Sequence, residues 1–360
     1  MLFYFLLLLF IPMFISFAAT PFVSRLAHKN GVVDEPCDRK LHCKAKPLLG
    51  GLSLYIASMV GILIFYPFDT QIYSLMIGAT IVVALGIIDD VIDINAFVKL
   101  AGQLSAATVM VLMNVSSYGA LIAFFNQFYI PGFLVIFAMI GWVVLLINAF
   151  NLIDGLDGLS VGTAAIIATA MAAIALIQGN FWLLGITLIG LGACLGFLPY
   201  NFNGAKIFMG DAGSMLLGFC LAVVHLFAIT EPFSASLLLG SLFIFAYPAL
   251  DTFYAIYRRL RHRQHIFQGD QGHIHHIILK LGVPLHKTVW LLYGFNFLFA
   301  AVGVLLLTLE VKSWLVLVIG ALTVTFATAL FKVLSRLSRE QKAHIKTAHS
   351  SEPATEQARG

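Results

Sequence analysis

Long apolar runs alternate along this chain with short polar segments. Each run is roughly 20 residues, the length that carries a helix across a bilayer. Eleven runs are legible, near 2–20, 48–67, 71–88, 97–114, 131–148, 159–178, 181–198, 212–230, 236–255, 288–309 and 313–333. The pattern predicts an all-α polytopic membrane protein with about 11 transmembrane helices. The stretch 115–130 is too short and unevenly polar for a span, and reads as an outer loop or interfacial helix. Residues 1–337 form one membrane domain with polar loops at its ends. The tail 338–360 is polar and expected to be disordered. Pro248, late in the ninth run, is expected to bend it. No internal repeat is visible.

Charge orients the chain. The N-terminus, Met1 to Tyr4, carries no basic residue, whereas Arg25 and Lys29 follow the first run. That order fits a retained first span with its N-terminus outside, not a cleaved leader. The inner segments are then 21–47, 89–99, 149–158, 199–211, 256–287 and 334–360, and the C-terminus is cytoplasmic. With the approach to the tail included, these hold 20 of the 21 Lys and Arg residues, leaving only Lys312 outside. The composition, 60% hydrophobic and 11% charged, agrees with a membrane protein. Cys37 and Cys43 share a polar inner loop without a second pair, and read as reduced thiols, not a zinc site.

Acidic residues contribute little to topology, so their placement calls for a function. Asp89, Asp90, Asp93, Asp154, Asp157, Asp211 and Asp251 all fall at inner ends of runs. Asp89, Asp90 and Asp93 close the third run; acids so close repel unless a cation or donor intervenes, and the plain alternative is a solvated helix end. Asn148, Asn151, Asp154 and Asp157 follow in a second cluster whose aspartates each precede a glycine. A third runs from Asn201 through Lys206, Phe208 and Gly210 to Asp211, Gly213 and Ser214, where a helix start offers N–H groups to an anion. Asp211 can hold a divalent ion there, or simply cap the helix. A fourth combines Arg258, Arg259, Arg261 and Arg263 with His265, His273, His275 and His276; phosphate contact suits this set better than zinc. Asp251 there is expected to pair with one of the arginines. Arg39, Lys40 and Lys46 form a basic strip before Gly50 and Gly51, placed to steer an anion. His225 stands alone mid-run and reads as a packing residue.

These clusters are far apart in sequence yet share one side of the membrane, and the run interiors are nearly free of charge. A cation-coupled transporter places ionisable groups near the midplane instead. The pattern favours chemistry at the interface, where a soluble anion meets a lipid. A prenyltransferase of the aromatic-substrate type would use the first cluster but leave the third and fourth idle.

Jointly, DDVID at Asp89–Asp93, NAFNLIDGLDGL at Asn148–Leu159, FMGDAGS at Phe208–Ser214 and HIHH at His273–His276 resemble the polyprenyl-phosphate N-acetylhexosamine-1-phosphate transferase superfamily, over roughly residues 20 to 290. RKLH at Arg39–His42 and HIHH look like the branch that loads GlcNAc-1-phosphate onto undecaprenyl phosphate for O-antigen, common-antigen or teichoic-acid linkage. The phospho-MurNAc-pentapeptide branch typically carries three consecutive histidines; here Ile274 interrupts them. The resemblance implies Mg²⁺ or Mn²⁺, UDP-GlcNAc and undecaprenyl phosphate as substrates, UMP as leaving group, and no nucleic-acid partner. It also implies a bacterial inner membrane, an active site on its cytoplasmic face, and a homodimer at the family level. Mapped onto this sequence, Asp211 is the principal metal ligand, with Asp89 and Asp90 beside it; Asp89 contacts or deprotonates the lipid phosphate. Asn151, Asp154 and Asp157 hold the nucleotide sugar together with Asn148 and, more weakly, Asn201. Phe208 stacks on uracil, and Arg263, His273, His275 and His276 bind phosphates or sugar.

Overall fold

The computed structural model describes residues 1–35, 45–230, 233–263, 272–309 and 311–350. Its helices are α1 (Leu2–Lys29), α2 (Gly50–Phe65), α3 (Thr70–Ile92), α4 (Ala96–Met113), α5 (Gly119–Asn126), α6 (Gly132–Ile153), α7 (Leu159–Ile177), α8 (Phe181–Asn201), α9 (Gly210–Ala228), α10 (Ala235–Ile244), α11 (Ala246–Arg261), α12 (Ile274–Lys280), α13 (Leu285–Thr308) and α14 (Ser313–Ser350). A short antiparallel pair, β1 (Val33–Asp34) and β2 (Lys46–Pro47), is all the sheet among the described residues.

Every apolar run is helical, but they are not all equal. Eight helices, α1, α3, α4, α6, α7, α8, α9 and α13, are long and apolar enough to cross a membrane, and α10 with α11 makes a ninth if that bent pair is one span. The remaining two expected spans are shorter: α2 and the apolar start of α14 (Ser313–Phe326). The segment 115–130 is a 3₁₀ turn followed by α5, as its length and polarity suggested.

The pair α10 and α11 bends by 75° at Phe245. The cause lies three residues later. Pro248 has no N–H to donate to the Ile244 carbonyl, and its ring crowds that carbonyl, so the first helix ends at Ile244. Helix α14 runs on through Ser350, into the segment that composition assigned to disorder. Residues 338–350 contain no Gly or Pro and are rich in Ala, Lys, Arg, Glu and Gln, all good helix formers. Residues 351–360 lie outside the described residues.

Helix α9 stands at the centre, packed against α2, α3, α6, α7 and α8, with nearly every side chain buried. Lipid supplies no hydrophobic drive for such packing; close van der Waals fit and internal hydrogen bonds replace it. The outer helices show the opposite pattern. Phe3, Phe10, Phe14, Phe17 and Phe22 of α1 face outward. Asp69 caps α3, Asn95 caps α4 and Asn180 caps α8, each accepting from a backbone N–H of the first turn. In the interior His225 bonds Ser241 Oγ at 2.8 Å and rests between Trp142 and Phe245, as a packing histidine would.

Candidate active site

Two loops are stitched together to make the floor of the site. Phe208 N–H donates to Pro47 O (2.8 Å), Gly50 N–H to Phe208 O (2.9 Å) and Gly51 N–H to Met209 O (2.8 Å). The basic strip ending at Lys46 is thereby laid beside Phe208 and Asp211. Gly210, the first residue of α9, has φ +70° and sits against the Leu48 carbonyl and the Asp90 carboxylate. A side chain there would be strained and would collide.

The ends of α3, α6, α8 and α9 and the start of α12 surround a cavity of about 400 Å³, within the size range of small-molecule sites. Its walls include Lys46, Asp90, Asn151, Asp154, Gly155, Asp157, Asn201, Phe208, Asp211 and His276, and also Asp34 on β1. The three central motifs therefore meet, as their chemistry suggested.

The carboxylates divide by what they hold. Asp90, on α3, accepts from Asp211 N–H (2.9 Å) and Ala212 N–H (3.3 Å), so it caps the N-terminus of α9. Asp89 accepts from Ile94 N–H (3.0 Å) and the Lys99 ammonium (2.8 Å). Lys99 also pairs with Asp211, bridging α3 and α9. Asn151 donates to Asp211 Oδ1 (2.8 Å) and Ser214 Oγ (3.1 Å). The Asp154 N–H donates to Asn151 O (3.4 Å), and its carboxylate makes no hydrogen bond with any described residue. Burial pushes its carboxyl well above the usual carboxylate range, and the charges of Asp211, Asp90 and Asp157 push it the same way.

At the other side of the cavity Lys46 lies over the Phe208 ring, 4.7 Å from its centroid, and 3.5 Å from Asp157 Oδ2. Asp157 also accepts from Ala205 N–H (2.8 Å). Asn201 is buried and staples two loops: its carbonyl oxygen takes Gly158 N–H (3.1 Å) and its amide reaches Ile207 O (3.0 Å).

Several residues stand elsewhere than their sequence positions implied. Asn148 does not line the cavity; its amide donates to Gln103 Oε1 (2.6 Å) and Val144 O (2.8 Å), tying α6 to α4. Asp93 is exposed and left-handed (φ 50°), the C-cap of α3, so it shares no face with Asp89. Arg263 is exposed beyond the end of α11 and does not line the cavity. His273 and His275 are buried behind the wall that His276 lines. Asp251 pairs with His273, not with an arginine. Arg39, Lys40, Cys37, Cys43 and His265 fall outside the described residues.

Lys99 was legible only as one more positive charge. The missed signal was its place in the first turns of α4, where the helix dipole disfavours a cation; a lysine there has to be held by acids. As for a metal, Asp89, Asp154 and Asp211 offer hard carboxylate oxygens suited to Mg²⁺, and Asp89 and Asp211 share the single Lys99 ammonium, which leaves a negative excess. Among the described residues no three such side chains are gathered tightly enough to ligate an ion; Lys99 stands between two of them. The residues fit a divalent cation in charge and donor type.

Residues 72–229 match the model of the family described as Glycosyl transferase family 4. A Bacillus subtilis protein named "Probable undecaprenyl-phosphate N-acetylglucosaminyl 1-phosphate transferase" is 33% identical over 328 residues, covering 91% of each chain. The chain belongs to glycosyl transferase family 4. Other members of this family are similar over most of their length. The decaprenyl-phosphate N-acetylglucosaminephosphotransferase of Mycolicibacterium smegmatis is 33% identical over 78% of this chain and 76% of its own. The undecaprenyl-phosphate alpha-N-acetylglucosaminyl 1-phosphate transferase of Escherichia coli is 32% identical over 86% and 85%. The family match spans α3 to α9, the helices that carry Asp89, Lys99, Asn151, Asp154 and Asp211.

Proposed function

We infer that this family member transfers GlcNAc-1-phosphate from UDP-GlcNAc to undecaprenyl phosphate, releasing UMP and leaving undecaprenyl-diphosphate-GlcNAc. This is the first membrane step of a cell-surface polysaccharide of the O-antigen, common-antigen or teichoic-acid kind. The observation that carries the reading is the meeting of Asp90, Asn151, Asp154 and Asp211 on one cavity, with Asp211 and Asp89 sharing Lys99, at one end of an apolar helix bundle. The printed names of relatives similar over most of the chain agree with it.

The chemistry follows from the layout. Lys46, Phe208 and Asp157 form the end of the cavity suited to the nucleotide: an aromatic face for the base, with a cation and a carboxylate at its edge. Asn151 and His276 face the middle, where the diphosphate lies. Lys99 and Asp89 sit where a lipid phosphate arrives from the bilayer side, beside the exposed apolar rim of Val91, Ile92, Phe97 and Val98. Lys99 brings positive charge to the attacking phosphate, and Asp89 orients Lys99. An oxygen of the lipid phosphate attacks the β-phosphorus; the bond from that phosphorus to the bridging oxygen breaks, and UMP leaves with the electron pair. Mg²⁺, with Mn²⁺ as substitute, would be held by Asp211 with Asp89 and Asp154, Asp90 being committed to the α9 N–H groups. When bound it neutralises diphosphate charge that three aspartates would otherwise repel.

The positive-inside distribution supports a site on the cytoplasmic face of a bacterial inner membrane. The test is UMP release by the purified protein with undecaprenyl phosphate, Mg²⁺ and a panel of UDP-HexNAc donors. UDP-GlcNAc should be turned over, and EDTA should abolish the reaction until Mg²⁺ or Mn²⁺ is restored. Turnover of UDP-MurNAc-pentapeptide with UDP-GlcNAc inert would overturn the branch. Phospho-aspartate trapped in the absence of lipid would overturn direct attack.

A further inference from the structure

The three histidines of the HIHH segment are not equivalent. His273 Nδ1 lies 2.8 Å from Asp251 Oδ2, and the Ile274 N–H donates to Asp251 Oδ1 at 3.0 Å. Both side chains are almost wholly buried, 4% and 3% exposed, so neither can reach a ligand in the cavity. One carboxylate thus grips the imidazole and the first amide of α12 together. Two turns further along α11, Arg258 Nη1 donates to Gly272 O at 2.8 Å. The segment that leads into α12 is pinned to α11 at both points.

What this pinning aims is the rest of the set. The His273 and His275 rings lie parallel, centroids 5.7 Å apart, and His276 rests 4.2 Å from His275. His276 lines the cavity. His275 is 1% exposed, and neither ring nitrogen has a hydrogen-bond partner among the described residues. Its Nε2 abuts Gly155, a cavity-wall residue, so closely that a Cβ there would meet it at 2.8 Å. A buried imidazole with two idle nitrogens costs free energy, which the packing around α12 has to offset.

We propose that Asp251 is a positioning residue that acts through His273: the pair is a strut, and it sets His276 against the nucleotide-sugar diphosphate, with His275 packed behind it. The division of labour differs from one in which all three histidines bind substrate. It rests on the transferase reading for the identity of the ligand, but not for the existence of the strut.

The experiment uses the full chain in nanodiscs. Asp251→Asn and His273→Ala are made singly and together, and UMP release is measured against UDP-GlcNAc and undecaprenyl phosphate. Each single change should lower kcat/KM for UDP-GlcNAc on the order of 10–100-fold, the range for carboxylates that orient functional imidazoles. KM for the lipid should change little. The double variant should be no worse than the weaker single, because the two act as one unit. Losses that add, or singles that keep wild-type kcat/KM, would overturn the proposal. Should Asp251→Asn fail to fold, Asp251→Glu and His273→Asn carry the same comparison. Amide hydrogen exchange across residues 272–280 supplies a readout independent of turnover. It should accelerate in the Asp251 variant, and unchanged exchange overturns the strut. If the wild type releases no UMP, the transferase reading fails, and exchange still decides the pair.

Discussion

Replacing Lys99 with Gln tests the site most directly. Lys99 is the cation shared by Asp89 and Asp211, and its side chain is 17% exposed, against 12% and 28% for its partners. Removing one partner of a fully buried ion pair costs about 3–5 kcal/mol, because the charge left behind is uncompensated. Residual exposure here, greatest at Asp211, reduces that to about 2–3 kcal/mol. If the loss falls on the transition state, it corresponds to roughly a 30–150-fold drop in kcat/KM at 1.36 kcal/mol per tenfold. Gln is one bond shorter but keeps an amide with two N–H donors, so the loss reports chiefly the charge. Initial rates of UMP release at fixed UDP-GlcNAc and varied undecaprenyl phosphate measure it. A second signature is a raised Mg²⁺ requirement, since two carboxylates then face each other without an ammonium. Activity within about threefold of wild type, with an unchanged Mg²⁺ dependence, would refute the reasoning. So would a loss confined to protein yield with normal specific activity.

Other expectations follow from neighbouring residues. The raised pKa of Asp154 means the cation-free protein loses stability as pH climbs from the ordinary carboxylate range towards that raised value, because the folded state holds the extra proton. Mg²⁺ must displace this proton, so its apparent affinity should strengthen as pH rises above the ordinary carboxylate range in wild type and less so in Asp154→Asn. A flat Mg²⁺ titration over that rise would count against the assignment. Gly155→Ala should push the His275 ring aside and cost about 1–3 kcal/mol in activity or stability, whereas Gly190→Ala, with open space around it, should be neutral; kcat/KM and melting temperature distinguish them. Asp90→Ala should strip two N–H groups of α9 of their acceptor and cost about 0.5–2 kcal/mol. That loss should appear as a lower melting temperature in detergent as well as lost turnover.

Much of this was readable from residue order. Each apolar run became a helix because bilayer-length hydrophobic stretches have few other ways to satisfy their backbone. The clusters around Asp89, Asp154 and Asp211 converged because all ended on one side. What escaped was pairing across long separations. Nothing near Asn148 in sequence names Gln103 as its partner, 45 residues away. Nothing near Asp251 favours His273 over the closer arginines. Burial decided that case: His273 and Asp251 are enclosed together, whereas Arg258 donates from Nη1 to the Gly272 carbonyl. His275 shows the same burial, which lowers its imidazole to about 3 and leaves it neutral. Asp93 stands apart from Asp89 because spacing by four gives a shared face only while the helix lasts, and α3 stops one residue short of it. The bend at Phe245 was anticipated at Pro248, but its position depends on which carbonyl loses its donor.

Helix α9 has no lipid to please. Ringed by five neighbours, it is free to carry Gly, Ser and His that an outer helix would expose to hydrocarbon, and it has given up any freedom to grow. Its far tip bears Asp211. An added methyl group on a peripheral helix meets only acyl chains and disperses; the same methyl on most of this enclosed mast meets packed side chains. Drug-resistance or loss-of-function changes distant from the substrates should therefore cluster on this helix, not on the lipid-washed α1.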